Sequence, residues 1–310
     1  MTVINMMSFG DSGAAVADEQ TTSGNIRKYN SAQKLKLIDS STIYGGSGSS
    51  FMINEVYDAM EYTIKEQKEK NMVGGLNIMQ LYDLAKRMIG SVKNSKKNDF
   101  LFANFGITLD EFVTGLRNGV KLDEPLKGKA YDALNNENFN RNIDLSILIG
   151  GLYEGKFEIN YVDSRGTACL RIPQPYYSIG SGSDEAGKIL SRYVINMPRE
   201  KREKIPIEEG LVKLIEATSS ASDINVGVGG IPSIVYLSKG SVKIPNENQC
   251  VLATEIVEGY VRNILDRDFT FRSISDLVLN NADFRTVEEQ MKSRAKDWNQ
   301  LDKILRGYKE

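Results

Sequence analysis

The chain has 310 residues, 41% hydrophobic and 26% charged, with 39 Lys and Arg against 41 Asp and Glu for a net charge of -2. That length is ample for a full core, in one large domain or two small ones, and near-neutrality leaves no broad electrostatic footprint for nucleic acid or an anionic membrane. There is no histidine, which excludes Ser-His-Asp and Cys-His catalysis and His-ligated zinc.

Residues 3–9 and 13–18 read as two strands joined by the turn Gly10-Asp11-Ser12-Gly13, whose residue types are strong turn formers. KLKLID (34–39) alternates polar and apolar as a half-buried strand does, and TIYGG begins a further short strand. The run Gly45-Gly46-Ser47-Gly48-Ser49-Ser50 lacks the GK[ST] ending of a phosphate loop. Residues 50–70 form an amphipathic helix on Phe51, Val56, Met60 and Ile64, closed by Asn71 and Gly74-Gly75, and a second helix spans about Ile78 to Val92. Residues 99–141 are polar and mostly helical. LSILIGGLY and FEINYVD form a hairpin around Glu154-Gly155, followed by TACLRI and PYYSIG. Helices are expected at about Asp184–Val194 and Pro206–Ala221, separated by the solvated charged run 198–204, before the strands SIVYL and SVKIP. A helical tail from about Asn246 carries apolar spacing on Leu301, Ile304 and Leu305 beside Trp298, which predicts that it docks on a surface.

No apolar run reaches the roughly 18 residues of a membrane helix. Residues 1–15 show no charged segment followed by an apolar core, so the expected location is cytoplasmic. Cys169 and Cys250 sit far apart in unlike contexts, which predicts two unpaired thiols in a reducing compartment.

The chemistry-bearing residues concentrate in the first fifty positions. With Met1 removed, Thr2 carries both a hydroxyl nucleophile and a free α-amine, and such an amine is one recognised base for the adjacent hydroxyl. Its intrinsic pKa of about 7.7–8.0 suits that task. A lysine nearby keeps the amine neutral and stabilises negative charge on the hydroxyl oxygen, a carboxylate holds the lysine, and a glycine N–H answers the oxyanion. Asp18, Lys34 and Gly48 supply those types at wide intervals.

The run TVI at the expected mature terminus, GAAVADEQTTSG (13–24), QKLKLID (33–39) and the small-residue run after TIYGG resemble the start of proteasome β-type subunits, within the N-terminal-nucleophile hydrolases. LIGG (148–151), INYVDSRG (159–166) and YSIGSGS (177–183) resemble that family's second half. The resemblance implies Thr2 as nucleophile, Asp18 and Lys34 as its carboxylate and lysine, Gly48 as oxyanion donor and Ser181 as a further active-site residue. SDINVGVGG offers Asp223 as the family aspartate, with two residues inserted before Gly229-Gly230. Gln20 stands where eukaryotic and many archaeal β subunits carry arginine, and is closer to the GDGQAT-like run of the bacterial ATP-dependent relatives.

By the same resemblance Thr21, Thr22 and Ser50 bind substrate, Thr22 and Ser50 along an added strand, while Lys36 and Gly46 shape a side-chain pocket. The implied fold is α+β, a four-layer αββα sandwich, with 2–98 and 142–244 as its domain, 99–141 as a helical insertion and 245–310 as a helical extension. The implied activity is a threonine-type peptidase without metal or cofactor, acting on a peptide or unfolded protein. A homo-oligomeric ring and an ATPase unfoldase are the implied partners. Two other readings stay open: a transpeptidase or peptide ligase using the same nucleophile, and a non-catalytic assembly subunit.

Overall fold

The computed structural model describes residues 2–23, 26–28, 34–39, 41–69, 76–225 and 228–305. The expected helix stop at Asn71 and Gly74-Gly75 lies outside them. The protein is a mixed α+β chain of two compact units: residues 1–47, 147–161 and 169–310 form the first, and 48–146 with 162–168 the second. In this division the two helices after residue 50 group with 99–141, and the C-terminal tail groups with the first unit.

In chain order the elements begin with strands β1 (Ile4–Ser8), β2 (Ser12–Ala17), β3 (Thr21–Ser23), β4 (Ile26–Lys28), β5 (Leu35–Asp39) and β6 (Thr42–Gly48). Helices α1 (Ser50–Glu69), α2 (Ile78–Phe105) and α3 (Leu109–Thr114) follow, then the short strands β7 (Leu116–Arg117) and β8 (Val120–Lys121), and helices α4 (Glu124–Leu134) and α5 (Glu137–Asn142). Strands β9 (Leu145–Tyr153), β10 (Lys156–Asp163), β11 (Ala168–Cys169) and β12 (Tyr176–Ile179) lead to helices α6 (Ser183–Asn196) and α7 (Ile207–Ile224). Strands β13 (Ser233–Ser238) and β14 (Ser241–Lys243) precede the tail, α8 (Glu247–Val261), α9 (Arg267–Val278), α10 (Phe284–Arg294) and α11 (Trp298–Asp302). None of the described helices is long and apolar enough to cross a membrane.

The first unit is organised around a five-stranded sheet of order β12-β1-β2-β13-β14, in which β1 pairs antiparallel with both β2 and β12. Side chains alternate across a strand, and β1 shows the consequence. Ile4 and Met6 face a core shared with Leu35, Ile43, Leu148, Phe157 and Ile159 of the second sheet, of order β11-β10-β9-β6-β5. Met7 faces the other way, into the helical core with Leu190 of α6, Leu211 of α7 and Leu252 of α8. Two sheets thus share one apolar layer, and helices cover the outer face of the first.

Phe157 fills the inter-sheet layer so completely that a Cβ built on Gly13 would stand 2.3 Å from its ring, and one on Gly150 would stand 2.7 Å away. The tail packs back onto α7, burying Leu301 and Ile304 in the helical core, while Trp298 stays half exposed. Docking of the tail is therefore within its own chain.

In the second unit α1 and α2 pack together, and Leu101, Ile107, Leu122 and Ala130 form a small core. Helix α2 runs well past the expected end at Val92. The polar run after Val92 interrupts the apolar period but contains no helix breaker. The helix stops only at Gly106, left-handed at φ 63°, whose N–H donates to the Phe102 carbonyl.

Candidate functional site

The β1–β2 ladder sets the site. Its last paired residues are Ile4 and Ala17, so Val3 and Asp18 lie opposite each other one step beyond. The Asp18 N–H donates to the Val3 carbonyl at 3.2 Å, and the Val3 N–H donates to Asp18 Oδ1 at 2.7 Å. Lys34, just before β5, donates from Nζ to the same Oδ1 at 2.8 Å. The Gly229 N–H donates to Asp18 Oδ2 at 3.2 Å, and Gly229 in turn accepts the Gln20 N–H at 2.9 Å. One carboxylate therefore ties together residues 3, 34 and 229.

The pair is almost wholly removed from water, at 1% exposure for the Asp18 side chain and 7% for Lys34. Burial pushes the Asp18 carboxyl above its ordinary value, opposed by the Lys34 ammonium and by the Val3 and Gly229 N–H donors. The same burial pulls Lys34 below its ordinary value, opposed by Asp18 and Glu19.

Thr2, which precedes Val3 in the chain, is buried, and the turn between β12 and α6 closes on it. Its N–H donates to Ser181 Oγ at 3.1 Å, and its carbonyl accepts the Gly182 N–H at 3.1 Å. Gly180 has φ +97°, and a Cβ there would stand 2.1 Å from the Thr2 carbonyl oxygen and 3.1 Å from Ser47 Oγ. The turn before α6 thus needs glycine both for its backbone and for the approach of Thr2. Asn225, the C-cap of α7, donates from Nδ2 to the Ser181 carbonyl at 2.8 Å.

The first unit therefore brings together Thr2, Asp18, Lys34 and Ser181 from positions up to 179 residues apart. Asp223 is not joined to them by any described hydrogen bond; it is exposed on the last turn of α7, two residues before the Asn225 that reaches Ser181. Gly48 and Ser50 belong to the second unit. Gly48 ends β6 at φ +114°, where a Cβ would meet the Asp144 carbonyl oxygen at 2.5 Å, and Ser50 is the exposed first residue of α1. Gly46 is buried in β6 and donates its N–H to the Lys34 carbonyl at 3.3 Å. The side chains of Thr21 and Thr22 lie outside the described residues. Lys36 pairs with Tyr44 in the β5–β6 ladder and lines a cavity of about 300 Å³.

Sequence reasoning missed Asn225 and the Ser47 hydroxyl near Gly180. Neither lies in a recognisable spacing, and both reach the site only through the fold. Matching the chain against models of known protein families gives no match, and neither does matching it against proteins of curated function.

Proposed function

We propose that this protein is a threonine-type amidohydrolase acting on peptide bonds, with Thr2 as nucleophile once Met1 has been removed and with the fold of a four-layer αββα sandwich. The observation that carries the reading is the Lys34–Asp18 pair, buried and hydrogen-bonded directly to the peptide N–H that follows Thr2. A buried ion pair is a poor stabiliser compared with apolar packing, because desolvation offsets most of its attraction. Buried ionisable pairs with perturbed titration concentrate at functional sites, which favours a catalytic role for this one.

In the proposed reaction Thr2 Oγ1 attacks the substrate carbonyl and passes its proton to the Thr2 α-amine. The Ser181 hydroxyl, already within 3.1 Å of that nitrogen, holds the amine in place. Lys34 keeps the amine neutral by its charge and stabilises the developing negative charge, and Asp18 fixes Lys34. The tetrahedral intermediate collapses by expelling the amine of the leaving peptide, which takes the proton. Water then attacks the Thr2 ester and releases the acid, restoring hydroxyl and amine.

Intact-mass and N-terminal peptide mapping with a threonine-directed β-lactone tests this. The expected result is loss of Met1 and one adduct on Thr2, with neither adduct nor peptide cleavage in Thr2→Ala. Retained Met1 together with no adduct on the wild-type chain overturns the reading.

A further inference from the structure

The hydrogen bonds that hold Thr2 join end to end. Asn225, at the C-cap of α7, donates from Nδ2 to the Ser181 carbonyl at 2.8 Å. The other end of that peptide group is the Gly182 N–H, which donates to the Thr2 carbonyl at 3.1 Å. The other end of the Thr2–Val3 peptide group is the Val3 N–H, which donates to Asp18 Oδ1 at 2.7 Å, where Lys34 Nζ also arrives at 2.8 Å. A trans peptide points its carbonyl and its N–H in opposite directions. The three bonds that start at Asn225 therefore run head to tail, with every donor aimed along the line toward Asp18.

The surroundings favour coupling along this line. Thr2, Val3, Gly182 and Asp18 are all buried, and hydrogen bonds in series polarise one another in such a low local dielectric. A Cβ on Gly182 would stand 3.0 Å from the side chains of both Val3 and Val228, so the middle peptide group is packed in place. Asn225 is fixed as well: its N–H donates to the Ala221 carbonyl at 3.0 Å, and its own carbonyl accepts the Val228 N–H at 2.9 Å. The first donor must come from a side chain that carries N–H, since a carboxylate at 225 would set oxygen against the Ser181 carbonyl oxygen. The exposed Asp223, two residues earlier, makes no described hydrogen bond to any member of the line.

We infer that Asn225 is a positioning residue for Thr2, acting through the 181–182 and 2–3 peptide groups as one hydrogen-bonded line that ends on the Asp18–Lys34 pair. The line fixes the Thr2 carbonyl, while Ser181 Oγ, on the same turn, holds the Thr2 nitrogen at 3.1 Å. With both of its backbone ends held, Thr2 has a set direction for the bond to its side chain. The catalytic use of the line rests on Thr2 being the nucleophile; the line itself does not.

Nuclear magnetic resonance of the backbone amides of the full chain tests the line without any turnover. Asn225→Asp keeps the size of the side chain and removes the donor. The expected result is upfield movement of both the Gly182 and the Val3 amide protons as their bonds weaken in turn, with Gly182 exchanging with solvent about five- to tenfold faster. Asn225→Ala, which removes the donor without adding charge, moves both in the same direction, and Asp223→Asn moves neither. In the same samples the threonine-directed β-lactone forms its Thr2 adduct about tenfold more slowly in Asn225→Asp than in the wild type. Unmoved Gly182 and Val3 resonances overturn the line, as does movement of Gly182 alone or equal movement in Asp223→Asn. Both resonances moved with an unchanged adduct rate overturn the positioning role. A wild-type chain that forms no adduct overturns the nucleophile and the positioning role with it, while the resonances still judge the line.

Discussion

Replacing Asp18 by asparagine keeps the shape of the side chain and an acceptor oxygen but leaves the Lys34 ammonium buried without its counter-charge. At 2.8 Å and an effective dielectric constant of about 20, the attraction lost is about 6 kcal/mol. Relaxation and the remaining Asn acceptor return part of it, so the expected loss of stability lies near the range of about 3–5 kcal/mol seen when one partner of a buried pair is removed. That is a large share of the roughly 5–15 kcal/mol of a folded domain. The sign of the pH dependence follows from counting protons. Burial already lowers Lys34 in the native protein, and Asp18 is the main influence raising it. Without Asp18 the folded pKa falls further while the unfolded value stays near 10.4. Between the two the unfolded state binds the extra proton, so stability rises with pH by about 1.4 kcal/mol per unit. Urea denaturation followed by far-ultraviolet circular dichroism at pH 7 and pH 9 measures it. The deficit of Asp18→Asn should shrink by up to about 2.7 kcal/mol across that interval, and Lys34→Met in the same chain should recover most of it. A deficit equal at both pH values, with the two substitutions additive, would refute the buried-charge account.

Two other outcomes follow from packing and burial. Gly13→Ala drives a methyl to within 2.3 Å of the Phe157 ring, so a loss of about 1–3 kcal/mol is expected in urea titrations. Phe157→Leu should relieve that loss, and strict additivity would show that the two residues do not compete for the same space. Burial pushes the Cys250 thiol up to about 12, so at pH 8 only about one thiol in 10⁴ is thiolate. A disulfide reagent should therefore titrate one rapid thiol, the partly exposed Cys169, and release the second only on unfolding. Two rapid thiols in the native protein would show that the helical core around Cys250 opens readily.

Local pattern made much of the first unit legible. The turn at Gly10–Gly13, the alternation in KLKLID and the Glu154-Gly155 hairpin each carry their own signal over a few residues. Those elements appear as β1–β2, β5 and β9–β10. The end of α2 was misjudged because its polar middle hides the apolar period, and the deciding residue, Gly106, stands 14 positions beyond the expected stop at Val92. The unit boundaries were illegible for a different reason. The polar composition of 99–141 suggested an insertion, but compactness groups α1 and α2 with it, and no local pattern reports which helices share a unit.

The candidate site divides along the same line. Asp18 and Lys34 could be named together because the resemblance to proteasome β-type subunits implies a carboxylate and a lysine at those positions. Asn225 could not, because nothing in SDINVG distinguishes an asparagine that reaches Ser181 from a solvated one, and the charged Asp223 is the more conspicuous candidate. The cavity beside Lys36 was beyond reach altogether, since its walls come from residues 19–37 and 231–250.

Asp18 also makes stability and the proposed activity hard to separate in this protein. Its carboxylate is the point at which the start of β1, the start of β5 and the Gly229 segment meet. A substitution there cannot be read as a loss of chemistry alone, because it also frees the Val3 N–H that fixes the chain just after Thr2. Lys34 is different. Its replacement by methionine keeps most of the volume and leaves Asp18 with its Val3 and Gly229 backbone donors, at the cost of the carboxylate's buried counter-charge. Of the two partners, Lys34 is therefore the one whose substitution keeps the Val3 anchor and so reports more directly on the proposed role of Thr2, with the fold measured in the same sample.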